Sequence, residues 1–406
     1  MSALLKFILI SLAIGVANAV VFVLFEFIVN QGTEYLWNEL FNTDSLRLAL
    51  IPVAIFLSIA YSYIIRNFKQ NRVGKAETNF LEDEEIKHTD LNDLGTIFVI
   101  GAGSLLAGAS LGPEASLVGI AGGLGIWFAQ KSSDLNSAKL LAISSVGALL
   151  VAFFGSLLSI LIPIIIIFKK EGKIVIKHYI PPIIAGVAAY ATLVAIKGSA
   201  IGFGTIPTGS SNFHIQDLIF ALILGILGAF LAYLLKLLIK KLSVITKKID
   251  NNYHWLVSAS VFGAVIGILY LIGGPSVEFS GKEGTSILLE NSSSYTVATL
   301  LIIFITKLLV TGWSLAGGYR GGLVFPSVFM GVTLSLIFEK IHPALTGPGI
   351  IIGSVSGIFT ALISPIIGLI LILSMIPAEL VGVALAGFLG ALIGAKIISK
   401  LEPIKI

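Results

Sequence analysis

The sequence predicts an all-α integral membrane protein, some of whose helices are broken. Of its 406 residues, 56% are hydrophobic and only 12% are charged, whereas a soluble domain is about 25% charged. Apolar runs recur along the chain, some shorter and some longer than the roughly 20 residues that one simple span needs. A third observation is that the apolar stretch Gly103–Gly119 is rich in glycine and interrupted by Pro113. Together they favour a single transmembrane domain over 1–406.

Composition excludes several classes of function. The chain has no cysteine, so disulfides and thiolate metal sites are excluded, and its five histidines form no ligand pair at helical spacing. We therefore expect no metal and no cofactor. The net charge of +4 comes without a basic tract, so we expect membrane lipids rather than nucleic acid as a partner. No catalytic triad or pair of carboxylates lies within the apolar runs, which argues against an enzyme.

The predicted helices follow the apolar runs. These runs cover 3–29, 47–65, 96–111, 113–129, 138–168, 178–197, 216–242, 254–273, 295–316, 324–338, 349–375 and 379–398. The longest ones can each hold two tilted or broken helices. The charged segment 68–93 is expected to be an aqueous loop, and the basic loops 169–173 and 240–248 favour the cytoplasmic side. The Gly/Ser/Pro-rich loop Gly202–Asn212 separates a first half, 1–201, from a second half, 213–406.

Each half contains one glycine-rich break followed by proline. In the first, a helix is expected to end near Leu111, break at Gly112 and restart at Pro113, because proline is suited to the first helical position. The second half repeats this pattern in Gly317–Gly331 around Pro326. Helix N-termini at such breaks attract anions, and an inverted repeat would bring both to one midplane site. The alternative is that glycine and proline are simply common in membrane helices.

These residues resemble a known family. Lys307–Gly331 is similar to the second-half signature of the CLC chloride channels and chloride/proton antiporters: a basic residue, Thr, Ser, then Gly-x-x-Gly-Gly-x-x-x-Pro. Gly108–Gly123 resembles their first-half signature, and the resemblance covers nearly the whole chain. It implies a CLC-type inverted repeat of tilted and broken helices, without the cytoplasmic nucleotide-binding domains of some relatives. It also implies a homodimer with one pathway per subunit for chloride or a similar small anion.

The same resemblance implies the anion-binding positions and shows where this chain departs from the family. Backbone amides of Leu323, Val324 and Gly112 would hold the anion, and Val73 stands where the family has an anion-contacting serine. The glutamate that gates the pore and carries protons is replaced by Leu111, and the acid of the inner proton path by Ile167. The family's pore tyrosine is not visible near the C-terminus. These departures predict passive anion conduction without proton coupling.

Several charged residues remain as candidates. Glu114 is a possible substitute acid, although stabilisation of the helix N-terminus is the simpler role. Gly281–Thr285 resembles the family's gate motif, but Thr285 replaces its proline, so an aqueous loop is expected. Arg320 and Lys307 could each lie at a pore mouth or snorkel to the membrane interface.

Two alternatives to a passive channel stay open. The first is a chloride/proton antiporter that uses Glu114 as a relocated carboxylate. The second is a membrane protein that binds anions without conducting them.

Glu379, after Pro377, is expected to cap the last long helix. The preference for lysine over arginine and the high isoleucine content point to a bacterial cell membrane.

Overall fold

The computed structural model describes residues 3–68, 90–131, 138–171, 176–199, 205–208, 212–342 and 347–401. Within these ranges the chain forms fifteen α-helices and one isolated backbone bridge, between Gly112 and Gly322. The helices are α1 Ala3–Thr33, α2 Leu50–Asn67, α3 Leu91–Leu106, α4 Glu114–Lys131, α5 Ala138–Phe154, α6 Leu161–Glu171, α7 Ile176–Lys197, α8 Ile215–Asn252, α9 Trp255–Gly273, α10 Lys282–Glu290, α11 Val297–Ala316, α12 Val324–Ile341, α13 Pro348–Leu362, α14 Pro365–Leu373 and α15 Val381–Leu401.

The apolar pattern located most of these helices. Two long runs each hold two helices, as predicted: 138–168 contains α5 and α6, and 349–375 contains α13 and α14. In the second case the helices separate at Ser364, directly before Pro365. Proline disfavours a helical conformation of the residue before it, which explains the interruption.

Eight segments of the described chain are long and apolar enough to cross a membrane. They are Leu5–Leu40, Arg47–Asn67, His178–Lys197, Ile215–Asn252, Trp255–Gly273, Val297–Ala316, Val324–Ile341 and Ala378–Lys400. Further apolar helices, including Leu91–Leu106 and Ala138–Phe154, are shorter than a simple span. The protein is therefore an all-α integral membrane protein with broken helices, as predicted.

The chain divides into two compact units that interleave along the sequence. The first comprises 1–32, 64–103 and 113–205, and the second comprises 33–63, 104–112 and 206–406. The second unit thus includes two segments of the first half of the chain. The division into an inverted first half, 1–201, and second half, 213–406, stays a prediction.

In the first unit, small and polar residues let helices pack closely. The Asn18 side-chain amide donates to the Ser145 hydroxyl at 2.8 Å and joins α1 to α5. A Cβ on Gly125 would lie 2.4 Å from the Leu141 carbonyl oxygen, so only glycine allows α4 to approach α5 this closely. Lipid tails are as apolar as leucine, so the hydrophobic effect does not hold helices together within a membrane. Close contacts and interhelical hydrogen bonds stabilise their packing instead.

In the second unit, glycines likewise bring α8, α13 and α15 together. A Cβ on Gly225 would lie 2.2 Å from the Gly387 carbonyl oxygen, and one on Gly228 would lie 2.5 Å from that of Ser354. Asp217, which is buried, accepts from the His214 amide at 2.7 Å at the start of α8. Its other oxygen accepts from the Gly349 amide at 3.1 Å in the first turn of α13.

Candidate functional site

The first break is longer than the sequence predicts. Helix α3 ends at Leu106 rather than near Leu111. Gly108 takes a left-handed conformation, with φ of 88°. Its amide donates to the Leu105 carbonyl at 3.0 Å, and the next amide, that of Ala109, donates to Ser104 at 3.2 Å. This Schellman arrangement pairs the last carbonyls of the helix and stops it. The prediction of the helix end was wrong because Gly108, not Gly112, terminates the helix.

The second break is built in the same way. Helix α11 ends at Ala316, and Gly318 is left-handed with φ of 81°. The Gly318 amide donates to Leu315 at 3.2 Å, and the Tyr319 amide donates to the Ser314 carbonyl at 3.1 Å. The same pair of hydrogen bonds therefore ends both helices. This recurrence is not expected if glycine were present only because it is common in membrane helices.

The two breaks are joined by their backbones. The Gly112 amide donates to the Gly322 carbonyl at 2.9 Å, and the Gly322 amide donates to the Gly112 carbonyl at 2.7 Å. Each glycine follows the left-handed glycine of its own break at the same spacing. The pair forms a reciprocal antiparallel bridge.

Two serines repeat this reciprocity. The Ser104 hydroxyl oxygen, at the end of α3, accepts from the Arg320 amide at 2.8 Å. The Ser314 hydroxyl oxygen, at the end of α11, accepts from the Ser110 amide at 3.1 Å. Each serine thus holds the backbone of the opposite break, and the two segments are related by an approximate twofold operation.

The two prolines do not occupy equivalent positions. Pro113 precedes the first residue of α4, and its carbonyl accepts from the Leu117 amide at 3.1 Å. Pro326 is the third residue of α12, which begins at Val324. Both positions suit proline, because no acceptor within the helix exists for the first-turn amides. The sequence pattern suggested that the two prolines correspond. The structure shows that the left-handed glycines, Gly108 and Gly318, correspond instead.

The predicted anion-binding amides have different environments. The Gly112 amide donates to Gly322, so in this conformation it is not available to an anion, and its prediction as a donor is not supported. Leu323 and Val324 lie at the N-terminus of α12, immediately after the bridge. The positive end of the helix dipole favours an anion there. These two amides stay a prediction, and Val73 lies outside the described residues.

The predicted gate position is filled by a hydrocarbon. Leu111 is 0% exposed, and its Cβ lies 2.5 Å from where a Cβ on Gly321 would stand. Only glycine at that position therefore leaves room for the leucine beside the bridge. Ile167, the predicted inner position, is buried within α6. Neither side chain can bind or release a proton.

Glu114 is more buried than a simple surface cap. It is the first residue of α4 and is 9% exposed. A carboxylate at a helix N-terminus is favoured by the dipole. An acid buried in a membrane protein is also a candidate for function. Both roles predicted for Glu114 therefore remain. Glu379 lies in the single turn Ala378–Leu380 that precedes α15.

Lys307 is buried within the protein and does not reach its surface. It is 0% exposed, and its ammonium donates to the carbonyls of Val277 at 2.9 Å and Phe279 at 2.8 Å. The Phe329 ring lies 5.0 Å from the ammonium. Both predicted roles for Lys307 were wrong. Its position on an apolar helix did not reveal that a distant loop supplies its acceptors.

The expected aqueous loop over Gly281–Thr285 is the start of a packed helix. Gly281 is left-handed, with φ of 85°, and α10 begins at the next residue, Lys282. A Cβ on Gly281 would stand 2.8 Å from the Lys307 ammonium, and Thr285 is buried. The prediction of a loop was wrong because Gly281 and Thr285 pack against protein at the start of a helix, although Glu283 is exposed.

Two aromatic residues that the sequence did not single out fix the first break. The Tyr270 hydroxyl donates to the Gly108 carbonyl at 2.9 Å and accepts from the Phe279 amide at 2.7 Å. The Trp37 indole donates to the Leu106 carbonyl at 3.0 Å. Both lie far from the break in sequence and outside any recognisable motif, so only the structure identifies them.

Glu278 directly precedes Phe279 in the chain. Burial raises the pKa of Glu278 from 4.5 to about 7. Its ion pair with Arg47, at 2.5 Å, acts in the opposite direction. The folded protein then binds the proton more tightly than the unfolded chain. Stability should therefore fall as pH rises from about 4.5 to about 7, by on the order of 3 kcal/mol. Thermal unfolding in detergent between pH 4.5 and 8 measures this effect.

The same titration of Glu278→Gln should lose that part of the pH dependence. Glu290→Gln, a matched change at an exposed position, should keep it. Identical pH profiles for the wild type and Glu278→Gln would contradict the prediction.

Comparison with known proteins identifies the family. Residues 53–400 match the family described as Voltage gated chloride channel. An uncharacterized protein of Methanocaldococcus jannaschii is 28% identical over 365 residues, covering 87% of this chain and 86% of the relative.

Two solved structures share the fold. A slow cyanobacterial Cl⁻/H⁺ antiporter aligns with a TM-score of 0.78 and 17% identity, over 97% of this chain and 95% of its own. A CLC-type fluoride/proton antiporter aligns with a TM-score of 0.73 and 17% identity, over 98% and 97%. At these identities the structural likeness shows the fold, whereas the family match covers most of the sequence. The protein, with its paired helix breaks, belongs to the voltage gated chloride channel family.

Proposed function

We propose that the protein conducts small anions, with chloride as the first candidate, passively and without proton coupling. The observation that carries this proposal is the pair of breaks joined at Gly112 and Gly322, with Leu111 beside them. Two interrupted helices held together within a membrane protein are typical of a transport site. Family membership supports anions as the substrate, as does the description of the two structural neighbours as chloride/proton and fluoride/proton antiporters.

Binding through backbone amides suits conduction. The amides of Leu323 and Val324 at the start of α12 would replace part of the anion's hydration shell. Neutral amides with a partial helix-dipole charge bind an anion without holding it so tightly that it cannot leave. Leu111 then leaves the pathway without a carboxylate that could compete with the anion.

An antiporter based on Glu114 is the alternative that a specific observation favours. Glu114 is buried at the start of α4, two residues after Gly112 in the chain. The two structural neighbours are described as proton-coupled antiporters. The experiment must therefore measure protons together with anions.

Proteoliposomes loaded with chloride, with a potassium shunt and external pH recorded in the same run, test the proposal. We expect chloride efflux that the shunt limits and no associated proton movement. The variant Glu114→Gln should conduct like the wild type, as should Glu290→Gln, a matched change of an exposed glutamate. Proton uptake that follows chloride efflux and disappears in Glu114→Gln would establish the antiporter instead. No efflux of any anion would favour the non-conducting alternative.

The assembly and location form part of the same proposal. We propose a homodimer in a bacterial cell membrane, with one anion pathway in each subunit and membrane lipids around it. The eight apolar spans and the family match support this arrangement. Mass measurement of the purified protein in detergent tests the dimer.

A further inference from the structure

We propose that Tyr61, Ser104 and Arg320 form a side-chain binding site for a small monovalent anion beside the second break. The inference rests on the proposed anion transport and assigns it side-chain donors that the sequence did not reveal. It names residues at which the anion would bind in addition to the amides at the start of α12.

The hydroxyl of Tyr61 is the first observation. Tyr61 is 4% exposed, and its hydroxyl has no hydrogen-bond partner. It lies next to the Ser104 hydroxyl and the Arg320 backbone, but not at a hydrogen-bonding geometry. Tyr270, which contacts the first break, by contrast both donates and accepts a hydrogen bond. A buried hydroxyl without a partner costs free energy unless a ligand or water satisfies it.

The Tyr61 ring is held in place, which fixes the direction of its hydroxyl. It stacks on the Tyr319 ring with centroids 5.2 Å apart and an interplanar angle of 17°. The Tyr319 hydroxyl in turn shares a hydrogen bond of 2.6 Å with the Ser58 hydroxyl. The unused donor is therefore preorganised, so binding an anion would require little further ordering.

Arg320 supplies a positive charge to this site. Its guanidinium is half-buried, and its charge interacts with Tyr61. Burial lowers the pKa of Arg320, but an arginine side chain keeps its charge in proteins. The Arg320 amide is already bound to Ser104, so the side chain can change without loss of the serine contact that holds the break.

The approximate symmetry of the breaks shows that this charge is an addition to the shared scaffold. Ser110 occupies the place in the first break that Arg320 occupies in the second. Ser110 is fully buried, and its hydroxyl bonds that of Thr311 at 3.2 Å. Of the two equivalent positions, only that of Arg320 carries a cation and reaches solvent. The asymmetry is expected if anions meet the breaks from the Arg320 side.

The chemistry of the three groups favours an anion over a cation. Tyr61 and Ser104 each have an O–H proton to donate, and the arginine guanidinium is donor-only. A charged hydrogen bond is roughly twice as strong as a neutral one, so a halide gains more from these donors than water does. Partial exposure of the arginine weakens the attraction enough for the ion to exchange.

Chloride binding to the purified protein in detergent, measured by calorimetry, tests the site without relying on flux. Tyr61→Phe should weaken chloride binding about tenfold, the effect of losing one hydrogen bond to a charged ligand. Phenylalanine keeps the ring that stacks on Tyr319, so the protein should unfold at the wild-type temperature. Tyr63→Phe, which changes a tyrosine that is 59% exposed on the same helix, should bind like the wild type.

Substitution of Arg320 supplies an independent readout. Arg320→Gln should weaken binding and flatten its dependence on ionic strength, whereas Arg320→Lys should restore both because a point charge is enough for a monatomic anion. Wild-type chloride affinity in both Tyr61→Phe and Arg320→Gln would overturn the proposal. If chloride binds with these mutational effects but liposomes show no flux, the site stands and the proposed conduction fails. If liposomes show flux but both variants bind chloride like the wild type, the proposed conduction stands and the side-chain site fails.

Discussion

Replacing Gly321 with alanine should abolish anion flux and lower the unfolding temperature in detergent. The added Cβ would stand 2.5 Å from the Leu111 Cβ and 2.8 Å from the Gly112 carbonyl oxygen. Real Cβ atoms essentially never approach heavy atoms this closely, and a backbone oxygen cannot move as a side-chain end can. The bridge between Gly112 and Gly322 must then open or shift. Overpacking of this kind costs about 1–3 kcal/mol.

A matched change separates the clash from the general effect of removing a glycine. Gly382 lies in α15, and a Cβ there would meet only side-chain atoms at 3.9 Å. Gly382→Ala should therefore leave flux intact and stabilise the helix by about 0.5–1 kcal/mol. Wild-type flux and unfolding temperature for Gly321→Ala would show that the close pairing of the breaks is not required.

A second substitution tests the identity of the clashing group. Adding Leu111→Gly to Gly321→Ala removes the atom at 2.5 Å but leaves the carbonyl oxygen at 2.8 Å. Stability should recover in part and not completely. Failure of Leu111→Gly to relieve the defect would place the cause elsewhere in the bridge.

Lys307→Met should leave little folded protein. The substitution removes the donor that pairs the carbonyls of Val277, which is buried, and Phe279, which is partly buried. Each unpaired group costs about 1–3 kcal/mol. Relief from burying an ammonium offsets part of this cost. Size-exclusion chromatography and thermal unfolding in detergent measure the loss.

The control is the same substitution at an exposed lysine that also donates to a carbonyl. Lys340 donates to the Ser293 carbonyl at 3.1 Å from an exposed position. Water can replace that bond, so Lys340→Met should unfold within a few degrees of the wild type. Equal stability of the two variants would mean that the buried ammonium does not hold the loop before α10.

Sequence reasoning succeeded where local composition decides the structure. Apolar runs predicted the membrane class and nearly every helix, since each must present hydrocarbon to lipid or to other helices. Glycine and proline revealed both breaks, and the motif around Lys307–Gly331 indicated the family that the sequence match over 53–400 identifies. The assignment of Leu111 to the family's gate position stays a prediction.

The end of α3 and the correspondence of the two breaks could not be obtained in this way. Several glycines surround Pro113, and only backbone conformation shows that Gly108 stops the helix while Gly112 pairs with Gly322. The two breaks were matched at their prolines because proline can be recognised in a sequence. A left-handed glycine cannot be distinguished from other glycines without the backbone conformation.

The sequence by itself determined that this is a helical membrane protein, that each half contains an interrupted helix, and that Leu111 and Ile167 carry no proton. These properties depend on residue type and near neighbours. Tertiary structure decided that Lys307 is buried against the carbonyls of a loop, that the Gly112 amide is occupied, and that the Tyr61 hydroxyl lies unpaired beside Arg320. Such facts depend on partners far away in the chain, and no local pattern records which distant atom meets a polar group.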